Sequence, residues 1–448
     1  MADQRKGSRV ERTSVELFAG GGGLAMAVSN AGFRPLLLNE FAKHACRTLA
    51  INLADPVPDG VLPTIPAPGQ RPPLVSGDIQ SLDMSYLAEA EVDLLAGGPP
   101  CQPFSLGGIA KGDEDKRNMF PEMFRAIREI QPKAIICENV RGLLRPSFAP
   151  YFRYILNELA LPFEKRDPDS TWQEHNALLI KRLAETQDDP RKRYVVRPFP
   201  VNAADYGVPQ IRHRVIIVAF RSDLDVDIDA FAASVRPEYS EAALHRSMLD
   251  DDEGNPGSYW VRHPDVPPHV RDRVVARLPT SPLLDDGRKP WRTLRDALSG
   301  YQGPGKENLP PVPDIPDEWL DRVDRKPNGF THHVGWPDAR IYDGHTPNER
   351  DRPAKTVKAG VHGVPGGESV MLRDDRVKDP TAPGGWRYKH RYMTVREAAR
   401  VMSFPDQWEA SGPRGEQMRQ LGNAVPVLLG EVFARAVATA LEKAENQE

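Results

Sequence analysis

The chain has 448 residues, more than one ordinary hydrophobic core accommodates, which favours two domains. Apolar residues make up 40% of it and no run of about 18 uncharged apolar residues occurs, so we expect a cytoplasmic protein without a membrane partner. Three cysteines without metal-ligand spacing argue against a disulfide framework and a metal site, and the net charge of −4 excludes a uniformly basic nucleic-acid binder while allowing a local basic face beyond Arg322.

The first part of the chain alternates two kinds of pattern. From Ser14 to Asn139, short runs rich in Leu, Ile and Val are each followed by a turn and then by apolar residues three and four positions apart. Such a series predicts an α/β fold with a doubly wound, mostly parallel sheet. The predicted strands cover residues 14–18, 34–40, 73–78, 92–97, 133–139 and 212–220, and the predicted helices cover residues 22–31, 42–52 and 119–130.

Composition divides the chain further. Residues 55–73 are too rich in proline for a helix or a central strand and are expected to form an exposed loop. Residues 221–390 lose the alternating rhythm, and the helical patterns that follow them are expected to pack back on the first domain. The predicted division is a tail at 1–13, a first domain at 14–220, a smaller irregular domain at 221–390 and a C-terminal segment at 391–448 that completes the first domain.

A glycine-rich turn follows the first predicted strand. Residues 20–23 are all glycine, which lets a ligand approach the backbone, although a tightly packed turn would use the same residues. Glu40 ends the second predicted strand about 20 residues further on, where a carboxylate can accept hydrogen bonds from ribose hydroxyls, and Asp78 ends the third. Together these residues predict a pocket for an adenosine group. Their spacing leaves open whether that group belongs to NAD or to S-adenosylmethionine (AdoMet).

Cys101 follows the fourth predicted strand, in the run GGPPCQPFS. A single cysteine is more often a small buried apolar residue than a reactive one. At the carboxyl end of a strand, beside the predicted adenosine pocket, Cys101 is a candidate nucleophile if neighbouring groups favour its thiolate.

Glu138 and Asn139 end the fifth predicted strand, directly after the apolar run AIIC. A carboxylate at the edge of an apolar sheet is costly unless it is paired or used in chemistry. The structural alternative is an ion pair with Arg141 or Arg145.

The run QIRHR leads into the sixth predicted strand. Gln210, Arg212 and Arg214 stand at alternating positions, which predicts that their side chains share one face. Two guanidinium groups on one face repel each other unless they bind an anionic or electron-rich group. A salt-bridged sheet edge is the structural alternative.

Taken in order, these motifs resemble those of the bacterial cytosine-5 DNA methyltransferase family. The resemblance implies a Rossmann-like class I AdoMet methyltransferase fold, with residues 221–390 as the target-recognition domain. Two departures, the absence of a glycine in LAMAVSN and RNMF in place of an Arg-Gly pair, concern only cofactor fit and loop motion. The matching runs are FAGGGGL, NEF, GDI, GGPPCQPFS, ENVRGLL, QIRHR, YMTVREAARVMSFPDQW and LGNAVPVLLG, which span residues 14–220 and 388–440.

The resemblance also implies roles for individual residues. Cys101 would be the nucleophile, Glu138 the partner of the cytosine edge, and Arg212 and Arg214 the residues that hold the base. The residues implied to line the AdoMet pocket are Phe18, Gly20, Gly22, Gly23, Leu24, Glu40, Phe41, Asp78, Ile79, Pro100, Met119, Asn423 and Ala424. Those implied to contact nucleic acid are Gln102, Ser105, Asn139, Gln210 and Thr356.

The implied reaction is transfer of a methyl group from AdoMet to carbon 5 of a cytosine in a specific sequence of double-stranded DNA, which leaves S-adenosylhomocysteine. The thiolate of Cys101 would add to carbon 6 of a base flipped out of the duplex, and Glu138 and Arg214 would stabilise the charge that develops on the ring. The protein would be an orphan methyltransferase or the modification enzyme of a restriction-modification system, with a restriction endonuclease encoded separately, and is expected to be a monomer.

Three other functions are weighed against this one. An RNA methyltransferase of the same fold would act on transfer RNA, but the PPCQPFS run and the large inserted domain favour DNA. A catalytically silent DNA-binding regulator would not need the intact set of Cys101, Glu138 and Arg214. A nicotinamide dehydrogenase is excluded because no motif supplies a site for hydride transfer.

Overall fold

The described residues pack into two compact units. The computed structural model describes residues 11–100, 118–185, 189–251, 253–279, 285–342, 346–359 and 367–446. Unit 1 takes in the described residues of Met1–Pro200, Arg214–Val235 and Gly430–Glu448, and unit 2 takes in those of Val201–His213 and Arg236–Leu429. The first and last described segments therefore share unit 1. Residues 391–429, which the sequence groups with the first domain, pack in unit 2 instead.

Unit 1 is built on an eight-stranded sheet. Its strands are β1 (Arg12–Leu17), β2 (Phe33–Glu40), β3 (Asp55–Pro56), β4 (Pro73–Ser76), β5 (Leu94–Gly97), β6 (Ala134–Val140), β7 (Tyr194–Asn202) and β8 (His213–Arg221). They lie in the order β3-β4-β2-β1-β5-β6-β8-β7. The pairs from β3 to β6 are parallel, and β8 runs antiparallel to β6. Because the chain winds outward from β1 in both directions, the prediction of a doubly wound, mostly parallel sheet is confirmed.

Thirteen helices occur in the described part of the chain. They are α1 (Gly23–Asn30), α2 (Lys43–Asn52), α3 (Phe120–Ile130), α4 (Ala149–Ala160), α5 (Trp172–Leu183), α6 (Ile228–Ser234), α7 (Glu241–Met248), α8 (Ser258–Arg262), α9 (Pro268–Val275), α10 (Leu294–Ser299), α11 (Val395–Val401), α12 (Arg414–Asn423) and α13 (Val427–Glu445). In α3, Phe120, Met123, Phe124 and Ile127 are buried at helical spacing, so one face of this helix packs on the sheet core.

All six predicted strands and all three predicted helices of the first domain are present, with each end within two residues of its predicted position. The apolar runs Leu36–Leu38, Leu94–Leu95 and Ile135–Ile136 are almost fully buried, as strands covered on both faces must be. Strands β3 and β7 were not predicted from the sequence. Strand β3 includes Pro56, which an edge strand tolerates because one side of it makes no ladder hydrogen bonds.

Unit 2 combines short helices with two small sheets. Strands β9 (Tyr239–Ser240) and β10 (Lys289–Pro290) pair in parallel, and β11 (Val370–Lys378) and β12 (Trp386–Tyr392) pair antiparallel. A buried ion pair joins β12 to α11, since Arg391 lies 2.6 Å from Glu397 and both side chains are 1% exposed. Asp314 contacts the same guanidinium at 2.9 Å. These contacts help to explain why residues 391–429 pack in unit 2.

The segment Arg414–Glu445 is long and apolar enough, by length and composition, to cross a membrane. However, 56% of its most apolar window is buried inside the protein, as in the core helix of a globular fold. Phe433 and Val437 within it are fully buried, and the ring of Phe433 contacts that of Phe199. We therefore interpret it as a packing element.

A charged network ties the last helix to the sheet of unit 1. Asp93 accepts from the backbone N–H of Thr13 at 2.8 Å and pairs with Lys133 at 2.9 Å. Glu445, at the end of α13, pairs with Arg12 at 2.9 Å and with Lys133 at 3.1 Å. Because two carboxylates alternate with two cations, each charge is balanced at the amino ends of β1, β5 and β6.

Removing the charge of Glu445 tests this network. Burial raises the pKa of Glu445, but hydrogen bonds from Arg12 and Lys133 outweigh it and hold the pKa below its ordinary value. The contribution of Glu445 to the stability of the folded state is therefore present at neutral pH, which lies above its pKa in the unfolded chain. This contribution is lost as the pH falls through the pKa of Glu445 in the folded state. We expect Glu445→Gln to lower the free energy of unfolding at pH 7 by about 1 kcal/mol, with a smaller loss at acid pH, measured by urea denaturation.

The matched control is Glu442→Gln, which neutralises an exposed carboxylate on the same helix. Equal effects of the two substitutions at pH 7 would contradict the role given to Glu445.

Candidate functional site

The turn after β1 is held in an uncommon backbone conformation. Phe18 has a φ of 55°, a left-handed value that costs a residue with a side chain about 1–2 kcal/mol. Gly20 and Gly22 also have positive φ, and Gly22 caps α1, which begins at Gly23. The backbone N–H of Gly20 donates to Glu40 Oε2 at 2.7 Å. The positive φ values of Gly20 and Gly22 therefore favour glycine at these two positions of the turn.

Glu40 joins the turns that follow β1 and β2. Its Oε2 accepts from Gly20, and its Oε1 accepts from the backbone N–H of Ala42 at 2.7 Å. Each carboxylate oxygen retains a second lone pair, which can accept from the hydroxyl groups of a ribose. Beside it, the side chain of Phe41 is 75% exposed, so its ring offers a face on which a purine can stack. Leu24, in α1, is buried below the turn.

The end of β4 is tied to the end of β2 by Asn39, a residue that the sequence analysis did not single out. Its buried side-chain amide donates to Val75 O at 3.1 Å and to Gly77 O at 3.2 Å. Asp78 is exposed and caps a short turn by accepting from Gln80 N, and Ile79 is buried. The signal for Asn39 was a polar residue inside the otherwise apolar run LLLNE.

Glu138 lies at the carboxyl end of β6 and is 7% exposed. Arg214 Nε, on β8, lies 2.7 Å from Glu138 Oε1, and neither side chain is more than 13% exposed. In the antiparallel register Glu138 faces Ile216 and Arg214 faces Val140, which puts the acid and the arginine diagonally across one face. Oε1 accepts no hydrogen bond within the described part of the chain, because Nε approaches it off the hydrogen-bonding direction. The pair thus balances charge while leaving acceptor capacity at Glu138.

The residues just before Cys101 lie beside this pair. A Cβ added to Gly98 would be 3.6 Å from Glu138 Oε2. Asn139 Nδ2 donates to Pro99 O at 3.1 Å, and Met119 N donates to Pro100 O at 3.2 Å. The residues before the segment that carries the predicted nucleophile are therefore held at the end of β6, and Met119, just after that segment, is held to Pro100. Cys101, Gln102 and Ser105 themselves lie outside the described residues.

Asn139 was predicted to contact nucleic acid, but its side chain is 4% exposed and serves the backbone. Besides holding Pro99, its Oδ1 accepts from Val140 N at 2.8 Å. Its position therefore gives it a positioning role for the segment that leads to Cys101.

The prediction that Gln210, Arg212 and Arg214 share one face does not hold, because β8 begins only at His213 and residues 201–213 belong to unit 2. Arg212 is fully buried and donates to the carbonyl oxygens of Gly422 at 2.7 Å, Ala424 at 2.9 Å and Val357 at 3.0 Å.

Gln210 is also fully buried and was predicted to contact nucleic acid. Its Nε2 donates to Met402 Sδ at 3.0 Å, and its Oε1 accepts from Val357 N at 3.3 Å. Both polar groups of this side chain are thus used inside unit 2.

Three motifs that are far apart in sequence meet around Arg212 in unit 2. Thr356 Oγ1 donates to Ile211 O at 2.8 Å, so the PAKTV run lies against QIRHR. Any Cβ on Gly422 would overlap the backbone of Lys358 and Ala359, so the LGNAV run packs equally closely. Asn423 is exposed at the end of α12. The cofactor contacts predicted for Asn423 and Ala424 and the phosphate contact predicted for Thr356 stay predictions.

The fold and these clusters define an α/β protein whose polar residues gather at the carboxyl ends of parallel strands, where such sheets bind ligands. The model of the C-5 cytosine-specific DNA methylase family matches residues 12–161, 180–273 and 324–439. The chain belongs to this family, as its motifs had indicated, and the resemblance found in the sequence is confirmed.

Similar proteins of bacteria agree with this assignment. The chain is 28% identical to the Type II methyltransferase M.Eco47II of Escherichia coli, over 98% of this chain and 82% of that protein. It is 29% identical to the Type II methyltransferase M.PspPI of a Psychrobacter species, over 96% of this chain and 80% of that protein.

Solved structures share the fold at low identity. The chain superimposes with a TM-score of 0.53 and 19% identity on a protein described as a DNA modification methyltransferase encoded within a prophage (E. coli), covering 96% of this chain and 99% of that one. A DNMT2 mutant of Spodoptera frugiperda superimposes with a TM-score of 0.50 and 16% identity, covering 95% and 99%. These matches support the fold alone.

Replacing Arg212 by methionine tests whether this residue is structural. The substitution leaves three buried carbonyl oxygens without their donor, and we expect it to lower the free energy of unfolding by about 3 kcal/mol or more, measured by denaturant titration. Arg419→Met, which replaces an exposed arginine on α12 of the same unit, is the matched control and is expected to cost less stability. A stable Arg212→Met protein would contradict the assignment.

Proposed function

We propose that the protein transfers a methyl group from AdoMet to carbon 5 of a flipped-out cytosine in a specific sequence of double-stranded DNA. The observation that carries this proposal is the buried Glu138–Arg214 pair beside the residues that lead to Cys101. Membership of the C-5 cytosine-specific DNA methylase family supports the reaction and the substrate. The names of the similar Type II methyltransferases favour DNA over transfer RNA and an active enzyme over a silent regulator.

Cys101 is the proposed nucleophile because the other two cysteines are unsuited to the role. Burial raises the pKa of Cys46, and it raises the pKa of Cys137 to about 12. Both thiols are therefore protonated at neutral pH, whereas addition to a base requires a thiolate.

The reaction follows from the electronic structure of the base. The Cys101 thiolate adds to carbon 6, which moves electron density towards carbon 5 and the ring nitrogens. Glu138 donates a proton to ring nitrogen 3 and accepts a hydrogen bond from the exocyclic amine, while Arg214 holds the Glu138 carboxyl group and donates to the ring oxygen, so both stabilise the charge as it develops. Glu138 recovers this proton when the double bond of the ring is restored. After methylation, carbon 5 loses its proton to a base such as water, and the carbon–sulfur bond breaks to return the thiolate.

The residues after β1, β2 and β4 fit the proposed cofactor. A turn with exposed backbone, the carboxylate of Glu40 and the exposed ring of Phe41 suit a methionine group, a ribose and an adenine respectively. When bound, AdoMet supplies the methyl group as an electrophile, leaving S-adenosylhomocysteine.

Arg212 has a different role in this proposal from the one that the resemblance implied. Because its guanidinium is buried against three carbonyl oxygens, we assign it the positioning of QIRHR, PAKTV and LGNAV and leave contact with the base to Arg214. We also propose that the protein acts in the cytoplasm as a monomer and needs no metal. Its partner would be a restriction endonuclease that is encoded separately.

Cys101→Ser tests the nucleophile. We expect it to abolish methylation of host DNA, read by bisulfite sequencing, and to abolish covalent trapping on a duplex that contains 5-fluorocytosine. AdoMet binding should persist, because serine is a far weaker nucleophile but hardly changes the pocket. Cys46→Ala is the matched control and should still be trapped. Appreciable turnover by Cys101→Ser would overturn the assignment.

Glu138→Gln tests the acid of the pair. The amide cannot balance the charge of Arg214 or stabilise the developing charge as a carboxyl group does, so we expect kcat to fall by about 10²–10³ with little change in the KM for AdoMet. The measurement is transfer of labelled methyl groups to DNA, with Glu89→Gln, an exposed carboxylate of unit 1, as control. A change confined to KM would argue against this role.

A further inference from the structure

The ribbon formed by β11 and β12 in unit 2 carries two basic side chains and a tryptophan on one face. Arg376 faces Tyr388 across the ribbon, and Lys378 faces Trp386. Residues two apart on one strand, and directly opposite residues on the next, point to the same side of a sheet. Arg376, Lys378, Trp386 and Tyr388 therefore share a face. Tyr388 packs against His269 of α9, and we call the other three residues of this face, Arg376, Lys378 and Trp386, the ribbon face.

The base of the ribbon is firmly held. Its register shifts between Leu372 and Arg376, so β11 has an irregularity at residues 373–375. Asp374, in this irregularity, accepts from Arg295 at 2.7 and 2.8 Å, and its carbonyl oxygen contacts His269 Nε2 at 3.0 Å. A bulge of this kind bends a strand and redirects the residues after it. The contacts of Asp374 at the base of the ribbon thus fix the direction of β11 beyond residue 375.

The turn at the far end of the ribbon is closed by its own hydrogen bonds. Asp379 N donates to Gly385 O at 3.0 Å, and Gly385 N donates to Ala382 O at 2.9 Å. Asp379 Oδ2 also pairs with Arg387 at 3.1 Å. The turn is therefore ordered by local contacts, and a partner would meet a preformed surface.

The two cations of the ribbon face differ from those near them. Arg373, Arg387 and Lys389 all form ion pairs with aspartates. Within the part of the chain that the structure describes, Arg376 and Lys378 have no carboxylate within ion-pair distance. Two adjacent cations without a counter-charge create a local positive potential on a protein that is acidic overall.

Trp386, the aromatic residue of the ribbon face, contacts the guanidinium group of Arg376. The guanidinium carbon lies 4.5 Å from the centre of the Trp386 ring, and Trp386 is 39% exposed. Stacking occupies the flat faces of a guanidinium and leaves the N–H groups around its edge to donate, which suits a phosphate group.

We propose that the ribbon face binds the phosphate backbone of double-stranded DNA through Arg376 and Lys378, with Trp386 as a positioning residue. The inference rests on the proposed function, which supplies a polyanion as substrate. It adds a sequence-independent contact surface within residues 370–392. Phosphate contacts of this kind fix the position of a protein on DNA without reading its bases.

The test measures how DNA binding by the full-length protein depends on salt. Fluorescence anisotropy gives the Kd for two short duplexes, one with and one without the sequence methylated by the wild type, over a range of KCl concentrations. Arg376→Ala and Lys378→Ala should each weaken binding to both duplexes and reduce the slope of log Kd against log salt by about 0.9. Trp386→Ala should weaken binding with the slope nearly unchanged, because no charge is lost.

Lys306→Ala removes an exposed cation elsewhere in unit 2 and is the matched control, expected to match the wild type. Arg376→Gln and Lys378→Gln replace the alanine variants if those do not fold. The affinity of each variant for AdoMet checks that unit 1 is folded. Unchanged slopes and Kd values would overturn the inference, as would weakening confined to the duplex with the target sequence. If the wild type methylates DNA and the ribbon variants bind DNA as the wild type does, only the proposal for the ribbon face is refuted. If the wild type binds neither duplex, the proposed function is refuted as well.

Discussion

Neighbouring parallel strands end at the same edge of a sheet, and the site depends on this constraint. Strands β4, β2, β1, β5 and β6 lie side by side, so Asp78, Glu40, Gly20, Gly98 and Glu138, each at or just beyond one strand end, follow one another along that edge. With strands about 4.8 Å apart, the proposed cofactor pocket after β1, β2 and β4 adjoins the proposed base pocket after β5 and β6. In the proposed reaction, the order of the strands would therefore bring the methyl donor and the methyl acceptor together.

Buried charge decides how the two arginines of QIRHR are used. A buried guanidinium must be compensated, by a carboxylate or by several acceptors. Arg214 is compensated by Glu138, which keeps both groups together at the end of β6. Arg212 is compensated by three carbonyl oxygens, which ties together three segments of unit 2. In the proposed reaction, two arginines separated by one residue thus have separate roles, one in the chemistry and one in the architecture.

Most of the sheet, and the residue types of the site, could be predicted from the sequence. The apolar runs of β1, β2, β5 and β6 are buried on both faces, and such strands are recognisable by composition alone. Strand β3 is two residues long and contains Pro56, and β7 is partly exposed, so neither has a distinct pattern. The buried contacts of Asn139 with the backbone could not be predicted, because a motif specifies a residue type and not the contacts of its side chain.

The sequence by itself determined the family, the fold class and the identity of Cys101, Glu138 and Arg214 as candidates, because these depend on local patterns and on the order of motifs. Only the tertiary structure decided that Glu138 is balanced by Arg214, that Arg212 is buried, and that residues 391–429 pack in unit 2. The reason is physical: burial and charge compensation depend on partners distant in sequence. Arg212 and Gly422, for example, meet across 210 positions of the chain.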